Sequence, residues 1–359
     1  MFNIDQLKNK LTTADFQQHS YAFRQFVLNE LKACIPYTAA CFTTIDPESL
    51  LSTGAVIDKL IEPIHSYILE NEHRGFDYNH YFQLVDSPPH IATLHDATNG
   101  DLPLSHRYTH ILAPTGILDE LRAALIDQGK CWGYLTLFRS EHQSAFSKEE
   151  QHVISNLLPI LTKAVKRLTI QSSFSPFTPQ SEEAIMIFSD TFELLSANEA
   201  AHALLNSLRE QEQLKEGLLP RPIETLCSKI KANSSTKGDQ KCQQQSVSIP
   251  TAHGQLLSLY ATQLTGEKVS KQYAVISQHT KPFERLSYTL LYYGLTKREI
   301  QIVEQIVYGH TTKQIASHLY ISTHTVQDHL KSIFAKLNVH SRRELLSMLN
   351  QTNTSVPSK

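Results

Sequence analysis

A chain of 359 residues with 41% hydrophobic content is long enough for two or three folded units with real cores. Its formal net charge of −2 excludes a uniformly basic nucleic-acid coat, and no apolar run reaches the length of a bilayer span. Cys34, Cys41, Cys131, Cys227 and Cys242 are scattered and form no CxxC pair, so reduced structural thiols are expected rather than a disulfide frame. The opening MFNIDQLKNKLTTADF carries no signal-peptide pattern, and a cytoplasmic protein with no membrane segment is expected.

In chain order, Phe16, Phe23, Phe26, Val27 and Leu31 recur at helical spacing over 14–35. YTAACFTTID and the turn-rich DPESLLSTGAV predict a first hairpin. ELRAALI, DQGK and CWGYLTLFR predict a second, with a four-residue loop containing Gly129. Ser147-x-x-Glu150 is a capping box for a long helix whose inner side holds Val153, Leu157, Leu158, Leu161 and Val165. QSSFSPFTPQS, over 171–181, reads as a linker.

Beyond it, EEAIMIFSDTFELLSANEAAHALL predicts a strand, a turn at Asp190, a short strand and a helix from about Asn198. VSIPTAHGQLLSLYATQL and QYAVISQHT supply later antiparallel strands. The polar KANSSTKGDQKCQQQ ahead of them reads as a loop.

The last stretch changes character. Between 281 and 350 nine Lys/Arg stand against five Asp/Glu, a net of +4 that leaves −6 on the remainder. A basic module on an acidic body suits a nucleic-acid reader joined to something that does not touch nucleic acid. Thr296-x-x-Glu299 caps a helix whose expected buried stripe is Ile300, Val303, Ile306 and Val307, and Gly309 stands where a left-handed cap is expected. A short helix follows with Ile315, Ala316 and Leu319 inward. After a tight turn, Ser322 or Thr323 caps a third helix. Ser341-x-x-Glu344 caps a fourth, carrying Leu345, Leu346 and Leu349. In the third helix Val326, Leu330, Ile333, Phe334 and Leu337 form one apolar stripe; His324, Asp328 and Lys331 lie opposite, flanked by Thr325 and Gln327. A short helix, a turn and a longer helix with a short-chained polar face is the arrangement that enters a DNA major groove, although such a face often does no more than meet water.

Residues 295–346 resemble the C-terminal DNA-binding domain of LuxR-type transcriptional regulators. The resemblance is carried by LTKRE, a Gly, TTKQIASHLYIS, TVQDHLKSIFAKL and SRREL. Two positions depart from the commonest form: Thr312, where Asn is frequent, and Gln327, where Lys is frequent. The second bears directly on which bases are read. Residues 1–170 resemble a GAF-type sensor domain through SHRYTHILAPTGILDELR and CWGYLTLFRS, and 182–280 resemble a PAS-type domain through their early strand pair and Asn-x-Ala helix entry. The implied fold is multidomain: two α+β sensor-like units, then an all-α four-helix helix-turn-helix unit over 281–350 and a tail over 351–359.

The resemblance implies double-stranded DNA as partner, a homodimer, RNA polymerase as a further partner, and an unidentified small-molecule signal. Candidate DNA contacts are Thr311, Thr312 and Lys313 at the entry of the second helix, and Ser322, Thr323, His324, Thr325, Gln327, Asp328 and Lys331 on the third. Leu345, Met348 and Leu349 are candidates for the dimer contact, with Met348 and part of Leu345 expected toward solvent. Trp132, the only tryptophan, either plugs a core or lines a ligand pocket. No catalytic, metal or cofactor site is expected: G-x-S-x-G, P-loop, H-E-x-x-H and GxGxxG patterns are missing, as is a phosphoreceiver signature. His106 and His110 share a helix face without a third ligand nearby. The alternative to a DNA-binding regulator is a signalling adaptor that works through protein contacts of residues 1–280.

Overall fold

The computed structural model describes residues 4–13, 20–74, 77–171, 182–235, 245–251, 256–264, 271–279 and 286–352, apart from 289 and 292. The expected linker at 171–181 falls almost entirely outside them, as do Phe16, Cys242 and the tail beyond 352.

The first region opens with α1 (Ile4–Thr13) and α2 (Ser20–Lys32); of the expected 14–35 helix, 14–19 lie outside the described residues and 33–35 fall beyond the end of α2. A five-stranded antiparallel sheet follows in the order β2-β1-β5-β4-β3. Its strands are β1 (Ala39–Ile45), β2 (Ser52–Ile57), β3 (Ile91–Thr93), β4 (Ile117–Asp127) and β5 (Lys130–Ser140). Helices α3 (His65–Arg74), α4 (Tyr81–Asp86) and α5 (Leu94–Ala97) come from the β2–β4 connections, and α6 (Lys148–Gln171) closes the region. Ser147 and Glu150 make the expected reciprocal cap at 3.2 and 2.8 Å.

The expected four-residue loop of the second hairpin is a two-residue turn. Gln128 and Gly129 both have positive φ, at 50° and 73°, which matches the strand twist and lets Asp127 and Lys130 pair. Further along, the β4–β5 register slips between Leu125 and Ile126, whose partners are Gly133 and Cys131. Trp132 is therefore the extra residue of a β-bulge. The bulge resets the alternation, so Trp132 and Leu135 both face the core under α1, α2 and α6 while Cys131 and Tyr134 face the other side. Gly133 is forced by close approach, since a Cβ there would lie 2.8 Å from the Thr43 carbonyl oxygen.

The second region has its own five-stranded antiparallel sheet, ordered β7-β6-β10-β9-β8. It comprises β6 (Ile185–Phe188), β7 (Leu194–Ala197), β8 (Gln245–Pro250), β9 (Leu256–Leu264) and β10 (Gln272–His279). One face packs on α7 (Glu199–Gln211) and α8 (Arg221–Ser235) through Phe188, Leu205, Leu226, Leu259 and Tyr273. Asn198 caps α7 through Ala201 N at 3.0 Å. Residues 231–235 of the expected loop are the last turn of α8.

The two sheet regions lock together along α3 and α8. Arg221 bonds Glu224 at 2.7 Å and also pairs with Glu62, and His65 Nδ1 lies 3.2 Å from Glu224. Leu51 leaves the first region to join the apolar core of the second. At the β1–β2 turn the buried Asp46 accepts bonds from Ser49 Oγ (2.7 Å), Glu48 N (3.1 Å), Ser248 N of β8 (3.2 Å) and the Tyr288 hydroxyl. Beyond residue 296 the described residues form four helices, α9 (Lys297–Val307), α10 (Thr312–His318), α11 (Thr323–Leu337) and α12 (Arg342–Thr352); Val307, expected in the buried stripe of the first, is exposed at its end. Leu290, Leu291 and Leu295 continue the apolar cluster of α1, α2 and α6 into this bundle.

Candidate nucleic-acid interface

The helical unit is set by its caps. Thr296 and Glu299 form the expected box, at 3.2 and 2.7 Å. Glu299 does a second job: its carboxylate also accepts from Ser332 Oγ (2.6 Å) and Lys336 Nζ (2.7 Å) of α11. Burial pushes that carboxyl up, but Lys336 and Ser332 outweigh it and hold it below its ordinary value. The start of α9 is thus tied to the far half of α11. Arg342 at the start of α12 donates to the carbonyl of His310, fixing the approach to α10.

Between α10 and α11 the chain turns through Tyr320, at φ 54°. Ser322 then caps α11 by accepting from Thr325 N at 3.0 Å. Asn338, left-handed at φ 53°, ends it. Val326, Ile333 and Leu337 are buried, with Leu330 and Phe334 partly so, as the stripe requires.

The opposite face is open. His324, Asp328 and Lys331 have side chains 81, 56 and 78% exposed, and Gln327 is exposed beside them. They form a loose ladder, with His324 Nε2 3.6 Å and Lys331 Nζ 3.5 Å from the two Asp328 oxygens. Pairs this exposed hold little energy, so each group is available to a ligand at small cost.

The other candidates divide. Lys313 and Thr323 are exposed, and Thr312 is half-buried. Thr311 is already engaged in a cap of α10, accepting from Gln314 N at 3.4 Å and donating to Gln314 Oε1 at 2.9 Å. Ser322 and Thr325 bond each other through their hydroxyls at 2.8 Å. Two candidates went unnoticed: Tyr320, 95% exposed at the turn, and the exposed Arg343. A lone tyrosine in a polar turn was the available signal for the first.

Leu345, expected partly toward solvent, is the dimer candidate that needs correction. Leu345 is fully buried and Leu349 is 3% exposed, because both fill the core under α9; only Met348 stays partly exposed. Trp132 is likewise 1% exposed, under Lys166 at 5.4 Å from its ring, and its bulge turns it into the helix-side core. His106 and His110 stack at 4.1 Å.

Residues 294–349 match the profile of the bacterial regulatory proteins of the luxR family. The Bacillus subtilis spore germination protein GerE is 46% identical over 50 residues, which are 14% of this chain and 68% of that protein. The chain belongs to the luxR family. A Haemophilus influenzae nitrate/nitrite response regulator homolog is 50% identical over 49 residues, 14% of this luxR-family chain and 24% of that protein. The B. subtilis transcriptional regulatory protein LnrK is 37% identical over 86 residues, 24% of this chain and 36% of that protein. The chain thus spans about a quarter to a third of the length of these last two relatives. Among solved structures, Escherichia coli SdiA overlaps 98% of this chain and 96% of its own at 11% identity and a TM-score of 0.31. A Vibrio cholerae VqmA–ligand–DNA complex overlaps 50% and 86% at 16% identity and a TM-score of 0.25. Overlaps at this level do not define a shared architecture. No helix among the described residues is long and apolar enough to cross a membrane.

Proposed function

We propose that this luxR-family chain is a sequence-specific transcriptional regulator that lays α11 in the major groove of double-stranded DNA. Its activity is set through a GAF-like unit over 1–170 and a PAS-like unit over 182–280, in response to a small molecule. The observation that supports it best is the exposed ladder His324–Asp328–Lys331 on a helix whose other side is fixed in a core. Lys331 can donate to guanine O6 and N7, and Gln327 can pair with adenine N6 and N7. Asp328 accepts from a cytosine amino group, or repels phosphate when the register is wrong. Lys313, with Thr311 and Thr312 at the α10 entry and Thr323 at the α11 entry, anchors the backbone.

One module offers few base contacts, so two are expected to pair about a dyad, with Met348 at or near the contact. Such a regulator works in the cytoplasm beside RNA polymerase and catalyses no reaction. Selection of random duplexes by the full chain tests the reading. It should return an inverted repeat of about 20 base pairs whose affinity falls steeply with salt. A chain that binds no duplex even at low salt would instead be an adaptor working through residues 1–280.

A further inference from the structure

Behind the first sheet lies a cavity of about 80 Å³ that belongs to both sheet regions. The sheet forms its floor through β1, β2, β4 and β5, α3 and α4 form its sides, and Thr225 of α8 reaches in from the second region. Ile68, Leu69 and Phe138 give it apolar walls, and Tyr81 lies stacked on Tyr134 at 3.7 Å between ring centres.

Its charges are settled internally. At the deep end Arg122 pairs with Glu72 (2.6 Å) and Glu120 (2.9 Å), and Glu120 also holds Arg107 (2.8 Å): two cations against two anions. Burial, followed by the repulsion of Lys229, pushes His73 down to about 4, so its ring is neutral at physiological pH. Outside that ion-pair network, two polar atoms of the cavity lining have no hydrogen-bond partner. Thr225, 3% exposed, leaves its Oγ1 unbonded, and His73 leaves its Nε2 unbonded. A buried hydroxyl and a buried imidazole nitrogen left unpaired are costly unless something else completes them.

From this geometry we propose that the cavity is a binding site for a small uncharged molecule whose polar group bonds Thr225 of α8 and His73 of α3. The inference rests on the reading of residues 1–280 as the regulatory part of the chain, and it names both the class of signal and where the signal is felt. A charged guest would bring an uncompensated charge among groups already balanced, so neutrality is selected. An apolar cavity of about 150 Å³ accepts benzene, so this one, at about 80 Å³, admits only a molecule smaller than benzene. Because its two polar partners stand on α3 and α8, an occupant braces one sheet region against the other.

Propionamide, propionate and propionamidinium share one shape and differ in charge. Saturation-transfer NMR on the full chain should show propionamide occupying a single site, with the two ions at least tenfold weaker. The near-isosteric Thr225→Val should weaken propionamide about tenfold, the loss of one hydrogen bond. His73→Phe should do the same from the other wall, and it carries the test if Thr225→Val does not fold. No saturable binding by the amide means a cavity that holds only water, and the inference falls. Equal binding of the ions, or propionamide binding unchanged in both variants, also overturns it. The regulatory reading is scored separately, by DNA affinity at saturating propionamide. A chain that binds the amide with unchanged DNA affinity keeps the site and loses regulation through it.

Discussion

The ion pairs on α11 and those behind the first sheet use similar residues and are opposite in character. His324, Asp328 and Lys331 are exposed and spaced at 3.5–3.6 Å, whereas Arg107, Glu120, Arg122 and Glu72 are sunk behind the sheet at 2.6–2.9 Å. Water screens the first set, so its members are nearly free to exchange partners. The second set has left water behind, and each member depends on the others to offset the loss of hydration. A group that must meet a changing partner belongs in the first setting, and a group that must hold a fold together belongs in the second.

Removing one buried partner breaks that contrast most severely. Arg122→Ala strands Glu72 and leaves Glu120 with Arg107 alone, and should cost about 3–5 kcal/mol of stability in a urea titration of the full chain. A loss below about 1 kcal/mol would place the network in the screened class.

Acid is the next lever. Burial raises the Glu224 carboxyl, but bonds from His65 and Arg221 bring it down to about 2, and His73 is depressed to about 4. A depressed carboxyl stabilises above its unfolded value, near 4.5, and loses that contribution as pH falls toward 2. For His73 the unfolded chain takes up its proton first, so stability declines from about 6.5 down to about 4. Glu212, which burial raises to about 7, acts in the opposite sense over the same range, so the His73 part is read by difference: the change in urea midpoint from pH 7 to pH 4 should be more negative in the wild-type chain than in His73→Phe. An equal change in the two chains overturns this reading.

On the exposed side, Lys331→Ala should leave the melt unchanged while costing about 1–3 kcal/mol at the cognate duplex and relaxing one base position. An unchanged motif at unchanged affinity would show that this face is not the reader. Lys313→Ala should weaken all duplexes alike and flatten the salt slope by about one. A loss confined to one sequence would make Lys313 a base reader. Smallest of all, Asp328→Asn should move stability by no more than about 0.5 kcal/mol.

What could be read from sequence follows the same divide. Caps are local, so Thr296 with Glu299, Ser147 with Glu150 and the start of α7 at Asn198 were visible as short patterns. The open face of α11 followed from periodicity alone. The buried network was not legible, because Glu72 and Arg122 meet only after β4 brings positions 50 residues apart together. Nor did any sequence pattern show that Thr225 would reach a cavity of the first region. Trp132 remained ambiguous because its facing depends on a bulge, and a one-residue slip exchanges the two faces of a strand. On α12, spacing distinguished apolar from polar positions but not core from contact, so Leu345, expected partly toward solvent, is instead fully buried.

The Asp46 carboxylate has a thermodynamic consequence. It takes hydrogen bonds from the β1–β2 turn, from β8 of the second sheet and from Tyr288 on the way to α9. Melting any one of these parts alone would leave a buried carboxylate short of a donor while the other two still hold it out of water. The apolar cluster running from α1 through Leu290 to α9 adds to that penalty. Partial unfolding is therefore disfavoured, and calorimetry should record one heat-absorption peak whose van't Hoff and calorimetric enthalpies agree. Asp46→Ala should split it into separate transitions.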